Sequence, residues 1–164
     1  MKQFSVDLKD YPAGGTVFHR TAVRGIVQNG GLFLLVTNKF GDYKFPGGGM
    51  EPGETPEETL SREIWEETGY KMVPGSLRQY AAVKELRKGL TADILEMENL
   101  YYFCEVQGEP VPLSLDDYEA EEEFRAEWVA LPEALRKNRE AAKENKNPWV
   151  LREIRVMECL EQEN

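Results

Sequence analysis

The sequence has one histidine and only two cysteines, and that scarcity removes several chemistries at once. His19 alone cannot build a Cys/His zinc site, because structural zinc takes four such ligands. Cys104 falls in an apolar, strand-like run and Cys159 in a helical pattern, so two buried, reduced thiols are expected rather than a disulfide. No apolar run approaches the roughly 18 residues of a membrane span. The stretch Met1 to Asp10 is mixed and charged, without the apolar centre of a secretory signal, and a cytoplasmic protein is expected. Positive charge is also short, with 20 Lys and Arg against 30 Asp and Glu and a net charge of −10. Such a surface repels a long nucleic acid, whereas a small phosphate ester accompanied by divalent cations is not excluded. Internal repeats, low-complexity tracts and linkers are absent too, so residues 1–164 read as one domain.

What the chain does carry is clear punctuation. Ala22 to Val27 and Leu32 to Val36 read as a strand pair, with the turn signal Asn29-Gly30-Gly31 between them. A second turn, Lys39 to Asp42, leads to Tyr43-Lys44-Phe45-Pro46 and the run Gly47-Gly48-Gly49. A helix follows: Thr55 suits its N-cap, Pro56 its first turn, Glu58 a capping box with Thr55, and Gly69 a left-handed terminator. Leu77 to Leu86, Leu100 to Val106 and Phe124 to Val129 read as further strands, and Leu135 to Lys143 as a helix. Asn147-Pro148 opens a last helix, residues 148–161, with Val150, Leu151, Ile154, Met157 and Leu160 along one stripe. Strands on both sides of a central helix predict an α/β fold whose mixed sheet is covered by helices. The apolar face of the last helix fits its own domain or a second subunit, so a homodimer stays open.

The stretch from Gly48 to Tyr70 carries the chemistry. At about 100° per residue, Glu63, Glu66 and Glu67 share one arc of the helix, beside the core-facing Leu60 and Ile64. Like charges so spaced repel by a few tenths of a kcal/mol per pair. Taken alone, a Glu-rich helix face is ordinarily just solvated. A divalent cation, however, turns the repulsion into ligation, and carboxylate oxygens suit Mg²⁺, which keeps waters and takes further ligands from substrate phosphates. Arg62 is placed to pair with a neighbouring carboxylate, and the glycines let backbone approach a phosphate or offer a carbonyl to the metal.

The segment resembles the Nudix box: Gly, five residues, Glu, seven residues, Arg-Glu, an aliphatic, any residue, Glu-Glu, any residue, Gly, an aliphatic. Gly48, Glu54, Arg62, Glu63, Ile64, Glu66, Glu67 and Gly69 all match in register. With about 7% chance at each of seven strict positions, an accidental match has a probability on the order of 10⁻⁸ per start site. Tyr70 departs from the closing aliphatic, a bulky apolar replacement that repacks the helix end.

That resemblance implies a Nudix-type α/β/α sandwich and Mg²⁺- or Mn²⁺-dependent cutting of a pyrophosphate linkage in a nucleoside diphosphate-linked small molecule. It implies Glu63 and Glu67 as principal metal ligands, both expected to face solvent, and Glu66 as a third ligand or water activator. Glu54 and Arg62 would support them, and Gly48 would add a backbone carbonyl. The family draws its general base from different places. With His19 expected before the first strand and far in sequence from the box, a carboxylate is the natural candidate. Glu121, Glu122 and Glu123 in the acidic run before Phe124 are put forward, Glu122 foremost, against a plain solvated turn; Glu85, Glu96 and Glu98 rank below. Substrate contacts are sought in Arg24, Phe45 and Gly48. Lys44 is a further phosphate candidate, and Tyr43, Tyr80, Tyr101 and Tyr102 are further stacking candidates, with surface and core roles as alternatives. Nothing separates ADP-ribose, nucleotide sugars, dinucleoside polyphosphates, oxidised nucleoside triphosphates and capped RNA ends, although long RNA suits the acidic surface least. The rival reading is a nucleotide-sensing Nudix-like module without catalysis, which would normally have lost box carboxylates. An acidic interaction protein without a ligand site leaves the glycine spacing unexplained.

Overall fold

The computed structural model describes residues 1–113, 120, 123–144 and 147–164. Its larger sheet runs in the order β1 (Lys2–Asp7), β8 (Arg78–Lys88), β9 (Ile94–Phe103), β2 (Val17–Ile26), β6 (Gly47–Gly49). The β1–β8 and β9–β2 pairs are parallel, and β8–β9 and β2–β6 antiparallel, so the sheet is mixed as expected. A second sheet joins β3 (Gln28–Asn29), β4 (Leu32–Thr37) and β11 (Arg125–Ala130), with β5 (Tyr43–Lys44) also on β4. The short strands β7 (Lys71–Met72) and β10 (Val106–Gln107) form a ribbon of their own.

Side-chain alternation along the strands sorts the core into two layers. Val23, Val27 and Leu34 pack with Leu60 and Ile64 of α1 (Pro56–Thr68). The opposite face, with Ile26, Phe33 and Leu35, packs against Ala134 and Leu135 of α2 (Leu131–Glu144) and Val156, Met157 and Leu160 of α3 (Val150–Glu163). Among the described residues, one helix on one side and two on the other make the expected α/β/α sandwich. Gly25 lets α1 settle on β2, since a Cβ there would press on Ile64 and the Cys104 sulfur at 3.1 Å.

Helix α1 forms for the reasons its punctuation suggests. The Thr55 side chain accepts from the Glu58 N–H at 3.2 Å, the Glu58 carboxylate accepts from the Thr55 N–H at 2.8 Å, and Gly69 is left-handed at φ 75°.

Other boundaries moved. Strand β1 was not anticipated, and β2 begins at Val17 rather than Ala22, because Val17 to Arg20 are exposed and carry no one-sided apolar alternation. His19 therefore lies within β2, where it pairs with Glu96 at 3.0 Å, and not ahead of the first strand. Strand β9 starts at Ile94 rather than Leu100 and ends before Val106, which belongs to the ribbon. Helix α2 begins at Leu131, with Pro132 in its first turn. The stripe on α3 is shifted: Leu151 is 43% exposed, while Arg152 and Glu153 are buried. Both cysteines are free, and burial pushes the Cys104 thiol up to about 12. No helix among the described residues is long and apolar enough to cross a membrane.

Candidate active site

Three helices converge on one short stretch of backbone. The Tyr43 N–H donates to Asn138 Oδ1 of α2 at 2.7 Å, the Phe45 N–H to Glu153 Oε2 of α3 at 2.9 Å, and the Gly47 N–H to Glu67 Oε1 of α1 at 2.7 Å. The three donors are alternate residues, so they project from the same edge of an extended chain. Gly47 turns that chain into β6 at φ 148°, where a Cβ would collide with the Val23 carbonyl.

Around this pivot the box residues interlock. Arg62 donates from Nε to Glu54 Oε1 at 2.9 Å, from Nη2 to Glu54 Oε2 at 3.1 Å and from Nη1 to Glu63 Oε1 at 2.7 Å. The bidentate fork on Glu54 suits guanidinium geometry, so Arg62 ties the loop ahead of α1 to the carboxylate on its cleft-facing side. A Cβ at Gly48 would run into the Glu63 carboxylate, which would have to swing aside.

The Glu54 carboxyl is pulled down to about 2, first by Arg62, then by Thr59 and the Glu51 N–H. A lowered folded value means that its stabilising contribution is present above the ordinary carboxylate range and fades as pH falls toward about 2. Carboxyl-carbon NMR is expected to find Glu54 still ionised at a pH where solvent-exposed glutamates are already protonated. An ordinary titration would show that the Arg62 fork does not persist in solution. Glu63 moves the other way, raised by burial and then by the charge of Glu67, against the pull of Arg62.

Glu67 departs from expectation. It does not face solvent but is 1% exposed, because the helix sets it over the Gly47 turn, where it caps that N–H. Lys44 Nζ stands 3.0 Å from Oε2 in an ion pair. The approach lacks hydrogen-bond geometry, so Oε2 is a buried oxygen without a donor. Lys44 is correspondingly not a surface lysine: it is largely buried and lies over the Phe124 ring.

These groups border a cleft of about 490 Å³. Glu63, Glu66 and Glu67 of α1 line it together with Arg20, Arg24, Lys44, Arg62, Arg87 and Arg152. A chain of net charge −10 thus gathers six cations around one hollow. The Glu67 carboxylate, with Glu63 and Glu66, is an all-oxygen donor set that fits a hard divalent cation. Among the described residues no three acidic, imidazole or thiol groups already converge as ligands, since Arg62 holds Glu63 and Lys44 attends Glu67. Ion binding therefore requires these side chains to turn.

The remaining candidates fall in different places. Arg24 reaches the cleft but is buried, donating to the Gly47 carbonyl at 2.8 Å. Phe45 is no stacking platform: it is 0% exposed, edge-to-face with Tyr101, and belongs to the core, as do Tyr43 and Tyr80. Tyr102 is half-buried and packs beside the α1 layer. Glu85 is no base, being fully buried between Arg87 and Arg152. Glu96 and Glu98 line a neighbouring hollow of about 350 Å³ with His19 and with Arg20, which borders both hollows. Glu121 and Glu122 lie outside the described residues; Glu123 is exposed, with φ 57°.

The sequence reading missed Arg20, Arg87, Trp149 and Arg152, all on the cleft wall. Only Trp149 left a signal, an aromatic between a helix-opening proline and an apolar stripe.

A mixed sheet between helix layers, with box carboxylates beside a glycine turn, defines a class, and the NUDIX domain matches residues 18–150: the chain belongs to the NUDIX family. It is 40% identical over 80 residues to a nucleoside triphosphatase NudI of Enterobacter sp., covering 45% of this chain and 57% of that protein. A NudI of Klebsiella pneumoniae is 35% identical over 112 residues, covering 61% of this chain and 79% of its own. The chain thus spans just over half the length of the first of these relatives, at 57%. Among solved structures, a mutator MutT protein from Bacillus halodurans superposes with TM-score 0.57 and 25% identity over 71% of this chain and 72% of that one. A NUDIX hydrolase from Nitrosomonas europaea gives 0.55 and 22% over 84% and 87%, a likeness of fold.

Proposed function

We propose that this protein is a metal-dependent pyrophosphohydrolase that uses water to cut a phosphoric anhydride bond in a small nucleotide, a nucleoside triphosphate foremost. The observation that carries this reading is the two-signed cleft, with three carboxylates of α1 and five arginines lining one hollow of an otherwise acidic protein. The names of the NudI relatives favour a triphosphate over ADP-ribose or a nucleotide sugar.

Glu67, Glu63 and Glu66 would hold Mg²⁺ or Mn²⁺, which supplies charge neutralisation at the reacting phosphate and a more acidic water. Arg62 keeps the Glu63 carboxylate turned toward the cleft, and Glu54 keeps Arg62 in place. Glu66, 40% exposed and 3.8 Å from Arg62, is the least committed of the three carboxylates and takes the proton of the attacking water. Glu122 is kept as the alternative base. Arg20 and Arg87 at the cleft wall gather the phosphate chain.

A hydrolysis screen with and without Mg²⁺ tests the reading, covering nucleoside triphosphates, oxidised forms, dinucleoside polyphosphates, ADP-ribose and nucleotide sugars. Metal-dependent release of monophosphate and pyrophosphate from a triphosphate is expected. No turnover in any class, with Mg²⁺ binding shown separately, would support the nucleotide-sensing alternative. Gly48→Ala is expected to raise the Mg²⁺ concentration for half-maximal rate by roughly tenfold or more, since it displaces the Glu63 carboxylate. A Mg²⁺ titration in which the variant overlays the parent would take Glu63 out of the ligand set.

A further inference from the structure

Arg24 is a buried cation with no ion-pair partner among the described residues. On β2 it is 8% exposed, and its Nη1 donates to the Gly47 carbonyl at 2.8 Å, while Nε is buried with no acceptor. The carboxylates near it are committed elsewhere. Glu67 pairs with Lys44, and Glu85 with Arg87 and Arg152. Glu153 takes Arg152, the Tyr101 hydroxyl and the Phe45 N–H. Among the described residues none of them forms an ion pair with Arg24.

Arg152, paired with Glu85 and Glu153, brings a second guanidinium to the same place. It is 2% exposed, lines the same cleft, and its charge is felt by Arg24, whose pKa is lowered by burial first and by Arg152 next. A guanidinium removed from water without a partner is costly to keep. Arg24, unpaired, beside Arg152 at one cleft forms an arrangement that an oxyanion resolves, and the guanidinium fork matches phosphate oxygens.

Gly47 fixes where such an anion would lie. Its N–H is held by Glu67 and its carbonyl by Arg24, so the carboxylate side and the guanidinium side of the cleft are one residue apart. We propose that Arg24, with Arg152 behind it, seats the phosphoryl group adjacent to the one that reacts, making this pair a determinant of selectivity for a polyphosphate chain. The proposal rests on the hydrolase reading for the identity of the reacting group. Its own requirement is narrower: the pair binds polyphosphate without metal.

The test uses inorganic tripolyphosphate with a chelator present, read by calorimetry and by thermal melting of the full chain, so it is independent of turnover. The parent protein is expected to bind tripolyphosphate and melt higher in its presence. Arg24→Met is expected to bind at least tenfold more weakly, yet to melt no lower than the parent without the anion, because a neutral chain of similar bulk removes an unpaired buried charge. A residue serving only as a strut for Gly47 predicts the reverse: a lower melting temperature and unchanged binding. That result overturns the proposal, as does a parent protein that ignores tripolyphosphate. Arg24→Lys, which keeps the charge and loses the fork, gives a second reading: several-fold weaker binding is expected, and unchanged binding overturns the proposal.

Discussion

Glu67→Gln is expected to lower metal-dependent turnover by about two orders of magnitude or more, the scale of losing one preorganised electrostatic contact, while the protein stays folded. The amide keeps the volume and the oxygen that caps the Gly47 N–H, so the glycine turn retains its anchor. What disappears is the negative charge at a site 1% exposed, next to Lys44. Lys44 then faces the cleft unpaired, and a divalent cation meets an amide in place of a carboxylate. Glu67→Ala is a different experiment, because it also strips the acceptor from a buried N–H. Steady-state kinetics paired with a thermal melt separates the two outcomes. A folded Glu67→Gln protein with parental turnover would mean that the carboxylate is a structural cap and nothing more.

Glu153→Ala is expected to be the most destabilising single change outside the apolar core. One carboxylate, fully buried, accepts from the Tyr101 hydroxyl at 2.8 Å, from Arg152 Nε at 2.9 Å and from the Phe45 N–H at 2.9 Å. Although burial opposes its charge, Tyr101, Glu153 and Glu85 together hold the Arg152 pKa above the ordinary arginine value. Removing one partner of such a buried pair costs about 3–5 kcal/mol, because the other is left charged in a dry place. For a chain of this length each kcal/mol lowers the melting temperature by about 2–4 °C, so a drop on the order of 10 °C is expected. Glu158→Ala on the same helix, which breaks an exposed pair with Arg139, is the control and should cost less than about 1 kcal/mol. Similar melting temperatures for the two variants would show that the buried network adds no more than a surface pair.

The contrast between these two glutamates shows which parts of the site a sequence can reveal. Glu67 was legible because the box is local. Its carboxylates, glycines and caps fall within consecutive residues, and helical geometry alone brings the carboxylates to one face. Even so, its burial was not legible, since that depends on Gly47 coming over the helix from a separate strand. Glu153 and Arg152 gave no such signal. In a helix of alternating apolar and charged residues they looked like the solvated side, and the apolar Leu151 took their place in the expected stripe. Their partners are distant in sequence: 108 residues separate Phe45 from Glu153 and 67 separate Glu85 from Arg152. A periodicity reading assumes that buried positions are apolar, so it fails where charges bury one another. Phe45 failed for the opposite reason. An aromatic beside the glycine run looked like a platform for a base, whereas its backbone serves the site and its ring serves the core.

The convergence of three helices on residues 43, 45 and 47 also bears on when the site comes into being. During synthesis the ribosome delivers the box and its glycine turn first, and α3, which anchors Phe45 and supplies Arg152, emerges only about 80 residues later. Until it docks, the Phe45 N–H has no acceptor and one cation of the cleft is absent. A nascent chain therefore carries the recognisable signature of the family well before it carries the pocket, and turnover is expected to begin only after α3 has docked.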